Sequence, residues 1–336
     1  MKLFQLTYSL LFLACTQTAS AQSSDQTSGK LQLIEVEPKV EIRLSGKPIL
    51  TYNKISPPLP DGLAAIYQRS GFLHPVASPS GRVVTGAFAA DHPHQNGIFT
   101  AWVMTKWNDR PIDFWNLGKG IGRVSHQQVV QSFAEPGKIG FVVELVHTAE
   151  EKPVVDILRE RWKVTAWETD GSYHQFDLET TQTALTDSPL TIEKYHYGGV
   201  GYRGPAQWLS DKAPDSKDAD PSIAERQPFQ FINDRGSDRI EGNEQNARWV
   251  SATGQIDGRP VSITVMCHED NFRSPQAARL HPTKPYFAYS PCIDGQFTID
   301  RQNEYRATFR YLVTDAVADA LWIQKQWDQW HENDDD

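Results

Sequence analysis

Two histidines flanking a proline sit in the densest polar cluster of the chain, Asp91-His92-Pro93-His94-Gln95-Asn96-Gly97, followed at once by the aromatic run Phe99-Thr100-Ala101-Trp102. Proline fixes its own φ, so both imidazoles project from a stiffened backbone. Imidazole titrates close to neutral pH, and its ring nitrogens also ligate metals. His92 and His94 are therefore candidates for a general acid or base. They also make two ligands of a Zn or Cu site, whose third would be His74, His126 or His196, with His92, His94 and His126 as the alternative metal set. A turn whose rings bond to backbone accounts for the same residues without chemistry. Nothing in the sequence requires a cofactor, and Zn or Cu enters only with the metal alternative.

A second cluster is Glu193-Lys194-Tyr195-His196-Tyr197-Gly198-Gly199-Val200-Gly201-Tyr202-Arg203-Gly204. On a strand, Glu193, Tyr195 and Tyr197 share one face, so Tyr197 can present a phenol to a pocket as a second proton-transfer group. Arg203, beyond the flexible glycines, suits a bidentate contact to a carboxylate or to hydroxyls, or a structural ion pair. Trp102, Trp107 and Trp115 can stack on sugar rings or simply fill the core. Gly118-Lys119-Gly120-Ile121-Gly122 is no dinucleotide fingerprint, because no βαβ pattern surrounds it, and it reads as a hairpin loop. In the third cluster, residues 266–275, Asn271 and Arg273 either bind a ligand or tie the loop to backbone; His281-Pro282 and Tyr286-Phe287-Ala288-Tyr289 follow. Glu160, mid-strand, is costly to bury unpaired.

The elements that must position these groups are strands. Leu31-Gln32-Leu33-Ile34-Glu35-Val36 and Val40-Glu41-Ile42-Arg43-Leu44 alternate apolar with polar, and a turn at Ser45-Gly46-Lys47 leads into Ile49-Leu50-Thr51-Tyr52. Further strands are expected over residues 97–104, 124–133, 140–147, 154–167, 174–183, 190–197, 248–256, 260–267, 286–290 and 304–313. With hardly any helical periodicity, this predicts an all-β fold, a large antiparallel β-sandwich over residues 31–331. One C-terminal helix is expected over residues 316–330, capped by Asp315, with Leu321, Ile323, Trp327 and Trp330 available to pack. Residues 210–227 read as a long surface loop and 332–336 as an acidic tail.

Residues 1–21 have the form of a secretory signal peptide, with cleavage near Ala21 and a polar linker over 22–30, so a periplasmic or secreted protein is expected. Cys267 and Cys292 would then meet an oxidising compartment, as a disulfide or as two buried thiols. Across 336 residues the formal charge is −9, and no Lys/Arg block stands out, which argues against a nucleic-acid partner. Beyond residues 1–21 no apolar run is long enough to cross a bilayer, which argues against integral membrane association.

The "LHP" of Leu73–Pro75 with Pro79-Ser80-Gly81, the "DHPHQNG" of Asp91–Gly97, the "DFW" of Asp113–Trp115, His126, the "YGG" of Tyr197–Gly199 with Tyr202-Arg203-Gly204, and the "NFRSP" of Asn271–Pro275 occur in this order. Together they resemble a family of exported bacterial proteins labelled methane oxygenase PmoA-like, found in polysaccharide-degrading bacteria. Gln95 and Asn96 stand where that family commonly has a second His and an Arg. Methane oxidation is rejected, because the methane monooxygenase subunit of that name is an integral membrane protein. The resemblance implies a galactose-mutarotase-like super-sandwich whose concave sheet binds sugars. The expected protein is an exported enzyme acting on an oligosaccharide or sugar derivative, as lyase, epimerase or hydrolase. His92 or His94 would work near its ordinary pKa with Tyr197, and His74, Asn96, Trp115, His126, Arg203, Asn271 and Arg273 would line the pocket. The alternatives are a His-ligated metalloprotein and a non-catalytic sugar-binding module.

Overall fold

The computed structural model describes residues 25–209 and 228–332. The expected signal peptide, the loop over 210–227 and the end of the acidic tail lie outside the described residues. Among the described residues strands dominate, all pairings are antiparallel, and they form sheets of ten, eight and four strands. The all-β sandwich read from alternation is therefore the observed fold. The longest strands, Gly122–Glu135, Lys138–Ala149, Val155–Trp167 and Tyr173–Ala184, are consecutive neighbours in the eight-stranded sheet. The ten-stranded sheet brings together Phe72–Val76, Ile98–Ala101, Gly199–Arg203, Tyr286–Tyr289 and Ala277–Leu280 in that order. Within the stretch read as a linker, Gln26–Ser28 is already a strand paired with Leu31–Leu33.

The core lies between the two large sheets. Along Val155–Trp167, Leu158, Trp162 and Val164 are buried while Arg159, Arg161 and Lys163 are exposed, the period-two pattern of a strand with one wet face. Tyr52, from the ten-stranded sheet, meets Phe141 and Trp162 of the eight-stranded sheet at ring-centroid distances of 5.4 and 6.1 Å. Each such side chain, fully buried, contributes roughly 1.5–3 kcal/mol.

Glu160 belongs to the inward set of the same strand and is fully buried. Its carboxylate accepts from His147 Nε2 (2.7 Å), Thr100 Oγ1 (2.7 Å), Trp162 Nε1 (2.8 Å), Thr180 Oγ1 (2.6 Å) and Gln182 Nε2 (3.0 Å). Burial pushes its pKa up, but the bonds from His147, Thr180 and Thr100 prevail and hold it down to about 2. Thr100 belongs to the ten-stranded sheet and the other partners to the eight-stranded sheet, so one carboxylate clasps both layers.

The helix and the Gly-rich run depart from expectation, and the cysteines take one of the two states left open. The helix spans Ala320–Glu332, later than expected, because Asp319 accepts from the N–H groups of Leu321 and Trp322 at 3.0 and 3.1 Å. Asp315 instead accepts from Ser78 Oγ at 2.6 Å and Arg82 Nη1 at 3.2 Å. Ile323 and Trp330 pack on Trp249, Met266 and Leu312, whereas Leu321 faces solvent. The Gly-rich run is no hairpin: it joins Arg110–Ile112 of the small sheet to Gly122–Glu135 of the eight-stranded sheet. Cys267 and Cys292 are both buried and unbridged.

Glu160→Ala leaves a buried imidazole and four further donors without their acceptor, so we expect a loss of about 3–5 kcal/mol by chemical denaturation. Because the folded pKa is depressed, the stability that Glu160 gives is present above the ordinary carboxylate range and lost as pH falls towards about 2. Acid titrations of wild type and Glu160→Gln should therefore converge; parallel curves would remove Glu160 as the acid-sensitive clasp.

Candidate active site

Alternation in the ten-stranded sheet decides which residues face outward. Thr100 bonds to the buried Glu160 and Tyr289 Oη donates to Val265 O at 3.2 Å, so both point at the other sheet. Val200 pairs with both. Phe99, Gly201 and Arg203, together with Tyr286 and Ala288, therefore occupy the opposite, outer face. His74 joins them, since its neighbour Leu73 pairs with the inward Tyr52.

Arg203 is fully buried on that face. Its guanidinium grips Asp91 through Nη2–Oδ1 at 2.6 Å and Nη1–Oδ2 at 3.1 Å, and Nη1 also donates to Gln95 Oε1 at 3.1 Å. Asp91 Oδ2 is 2.8 Å from His92 Nδ1. A carboxylate there makes Nδ1 the donor, which leaves the Nε2 lone pair free in the neutral ring. Burial alone would raise the Asp91 pKa; His92 and Arg203 together drive it well below the ordinary carboxylate range.

Around His92 stand His94, His281 and Tyr286, with ring centroids 5.5, 6.1 and 5.8 Å away. His281 Nδ1 accepts from the backbone N–H groups of Thr283 (3.2 Å) and Lys284 (3.0 Å), so its Nε2 carries the proton and is a donor. Burial, reinforced by Arg279 and His92, lowers its pKa to about 2. Burial, with His92, Arg69 and Arg203 nearby, lowers His94 to about 3, so the expectation that His94 works near its ordinary pKa does not hold. Burial raises the Tyr286 pKa, so its hydroxyl keeps its proton and can donate. The cluster thus sets the His92 Nε2 acceptor beside the His281 Nε2–H and Tyr286 hydroxyl donors.

Beside it, Trp115 lies over Gly201: a Cβ there would stand 2.8 Å from Trp115 Cη2 and 2.9 Å from Phe99 Cζ, so glycine is what admits the ring. Tyr197 meets Trp115 at 5.3 Å, and its hydroxyl accepts from Asn116 Nδ2 at 3.4 Å. The expected strand stops at Ile192, and Tyr195, His196 and Tyr197 pack on one another at 4.1–5.0 Å instead of alternating in a row. Burial raises the Tyr197 pKa well above its ordinary value, which makes it a donor and not a base.

The remaining expected site residues scatter. His74 Nδ1 pairs with Thr85 Oγ1 at 2.8 Å, and burial lowers its pKa to about 4. Asn96 is buried and accepts from Phe88 N at 2.8 Å. His126 sits on the eight-stranded sheet, bonded to Tyr52 Oη at 2.9 Å, away from His92 and His94. Among the described residues no three His, Cys, Asp or Glu side chains are arranged to hold a metal ion, so the set His92, His94 and His126 is not assembled. Asn271 is bound to Thr308 N and O at 2.7 and 2.8 Å, and Arg273 to the carbonyls of Pro291 and Gly295 at 2.7 and 2.6 Å; both tie loops together. Sequence reasoning did not select Asp91, Gln95, His281 or Tyr286 as site residues. Asp91 adjoined the histidine motif, but nothing marked the distant His281 and Tyr286 as its neighbours.

Among solved structures the chain is similar to a mutant of heparan sulfate lyase HepC from Pedobacter heparinus, at 7% identity and a TM-score of 0.34, covering 88% of this chain and 37% of that one. It is also similar to the α-N-acetylgalactosaminidase NagBb from Bifidobacterium bifidum in complex with GalNAc, at 14% identity and a TM-score of 0.32, covering 92% and 39%. The chain thus spans less than two-fifths of the length of either. No curated protein matches it in sequence. The resemblance to the methane oxygenase PmoA-like family is corrected by the family match itself, which runs over residues 39–328 and carries a different description. The chain belongs to DUF6807, a family of unknown function.

Proposed function

We propose that the cluster around His92 is the active centre of an enzyme acting on an oligosaccharide or sugar derivative by general acid/base chemistry. The observation that carries this reading is the Asp91–His92 pair held by a buried Arg203. A carboxylate–imidazole pair of this kind fixes the tautomer and orientation of a base. In this reading His92 Nε2 takes a proton from the substrate, while His281 Nε2–H and the Tyr286 hydroxyl stabilise the oxygen on which charge develops. Arg203 is a positioning residue, because its Nη atoms are spent on Asp91 and Gln95 and leave no fork for a substrate carboxylate. Hydroxyl-rich substrates fit a cluster of alternating acceptors and donors, and Trp115 and Tyr197 supply adjoining aromatic surface. Among the described residues the carboxylate that touches the cluster is Asp91, already committed to Arg203 and His92. That favours proton abstraction, as in elimination or epimerisation, over hydrolysis by a carboxylate pair.

The test is turnover on a panel of oligosaccharides, read by mass spectrometry with and without chelator. His92→Ala should lower kcat/KM on the order of 10²-fold or more while circular dichroism stays native. Tyr286→Phe should lower kcat by about tenfold or more through the lost donor. Full activity in His92→Ala sinks the assignment. Sugar binding without product by the wild type moves the reading to a non-catalytic module.

Arg203→Leu should cost about 3–5 kcal/mol in denaturant titrations, since it strands a buried carboxylate. A variant as stable as wild type would show that the Arg203–Asp91 pair does not anchor the site.

The site also has a pH signature. His94 and His281 titrate at about 3 and about 2 when folded, whereas an unfolded imidazole titrates near 6.5. The unfolded chain therefore binds more protons below pH ~6.5, and each ring removes up to about 1.4 kcal/mol of stability per pH unit on acidification. Thermal melts from pH 7 to 4 should fall more shallowly in His281→Gln than in wild type.

A further inference from the structure

One rung of the ten-stranded sheet runs across the face that carries the site: Phe99 pairs with Gly201, Gly201 with Ala288 and Ala288 with Arg279. All four point outward, because Thr100, Val200, Tyr289 and Ala278 form the inward rung beside them. Strands lie about 4.8 Å apart, so Arg279 ends a row roughly 14 Å long whose middle is glycine and alanine. At the other end Arg69 lies 4.6 Å over the Phe99 ring. The next outward rung sets Arg203 opposite Tyr286.

The charges of the two end arginines are met differently. Arg69 is answered through the sheet: its Nη2 donates to Thr100 O at 2.9 Å, and Thr100 Oγ1 donates to the buried Glu160 at 2.7 Å. Arg279 has no such answer. It is 5% exposed, and its Nη1 donates to two neutral acceptors, Asn243 Oδ1 at 2.7 Å and Leu280 O at 3.4 Å. Among the described residues no carboxylate forms an ion pair with it. Asp91, the carboxylate of the cluster, is already held by Arg203 and His92. A buried cation without a counter-ion is costly, and its field reaches further than it would in water. That field enters the site: after burial itself, Arg279 leads the charges that hold His281 at a pKa of about 2. In a chain of formal charge −9, this face therefore keeps an unmet positive charge.

A carboxylate on the substrate supplies the missing counter-ion and also suits the chemistry. When His92 Nε2 takes the proton from the carbon beside a carboxylate, the C–H electron pair passes onto the carboxylate oxygens, which then carry a second negative charge. The proton returns to carbon or leaves with a departing β-oxygen. A sulfate ester brings a charge but cannot take up that electron pair.

We propose that the substrate of the His92 centre is a uronate, and that Arg279 sets this specificity through its charge. The proposal rests on His92 being the base.

Turnover by the full chain of hexauronates of galacturonic, mannuronic and glucuronic acid tests it, each beside its carboxyl-reduced counterpart and that counterpart sulfated. At least one hexauronate should exceed its reduced counterpart in kcat/KM about tenfold or more. Arg279→Gln, which keeps a donor for Asn243, should lower that ratio about tenfold, and Arg279→Lys, which restores the charge, should recover most of it. Loss of a merely structural contact would cut both substrates alike. The proposal is overturned if the reduced or sulfated counterpart is turned over as well as the hexauronate, if Arg279→Gln keeps the wild-type ratio, or if no hexauronate is turned over. Product formed by His92→Ala strikes the assignment of the base, and this proposal with it. An enzyme silenced by His92→Ala yet indifferent to the carboxyl group strikes the uronate alone.

Discussion

The carboxylate of Glu160 is the interaction on which the rest depends. A charge buried between two sheets survives only when its lone pairs are filled, and five donors converge on it from both layers. One of them, Thr100, sits on the strand next to Gly199–Arg203. With Thr100 held inward, alternation turns Phe99 outward against Trp115, at 4.7 Å. Arg69 completes the arrangement by donating to Thr100 O at 2.9 Å and lying 4.6 Å over the Phe99 ring. The sandwich core and the candidate site are thus registered by the same few residues.

The fold was largely legible because strand alternation is a local signal. The four long strands from Gly122 to Ala184 each show it, and their tight connections force antiparallel neighbours. The histidine motif was legible for the same reason: proline and clustered polar side chains announce themselves within seven residues. Pairings between distant segments were not. Tyr286 reaches Arg203 only because Tyr286–Tyr289 inserts beside Gly199–Arg203, and nothing local reports that register. Tyr197 shows the opposite failure, where apparent alternation runs past Ile192 into a stretch that Gly198 and Gly199, at φ +147° and +109°, turn away from the strand. Asn271 and Arg273 looked available in sequence, yet the distant carbonyls they bind, Thr308 on a strand and Pro291 after another, are invisible until the chain is folded.

Electrostatic economy runs through the molecule. Arg203 and Arg310 are each paired with an aspartate, and the histidines His74, His94 and His281 are kept neutral by burial. These arginines are thus spent inside the fold, each on a carboxylate.

The order of strands in the ten-stranded sheet also constrains how the protein can be made. Gly199–Arg203 gains its second neighbour only when Tyr286–Tyr289 arrives, more than eighty residues later in the chain. Until then a growing or prematurely terminated chain bears an uncapped, glycine-rich β-edge together with a buried-type arginine. Non-local pairing of this kind slows folding and leaves the edge open to intermolecular strand addition. Quality control therefore falls on the last fifty residues: a fragment that lacks them loses the strand that completes the sheet, and self-association is its expected fate.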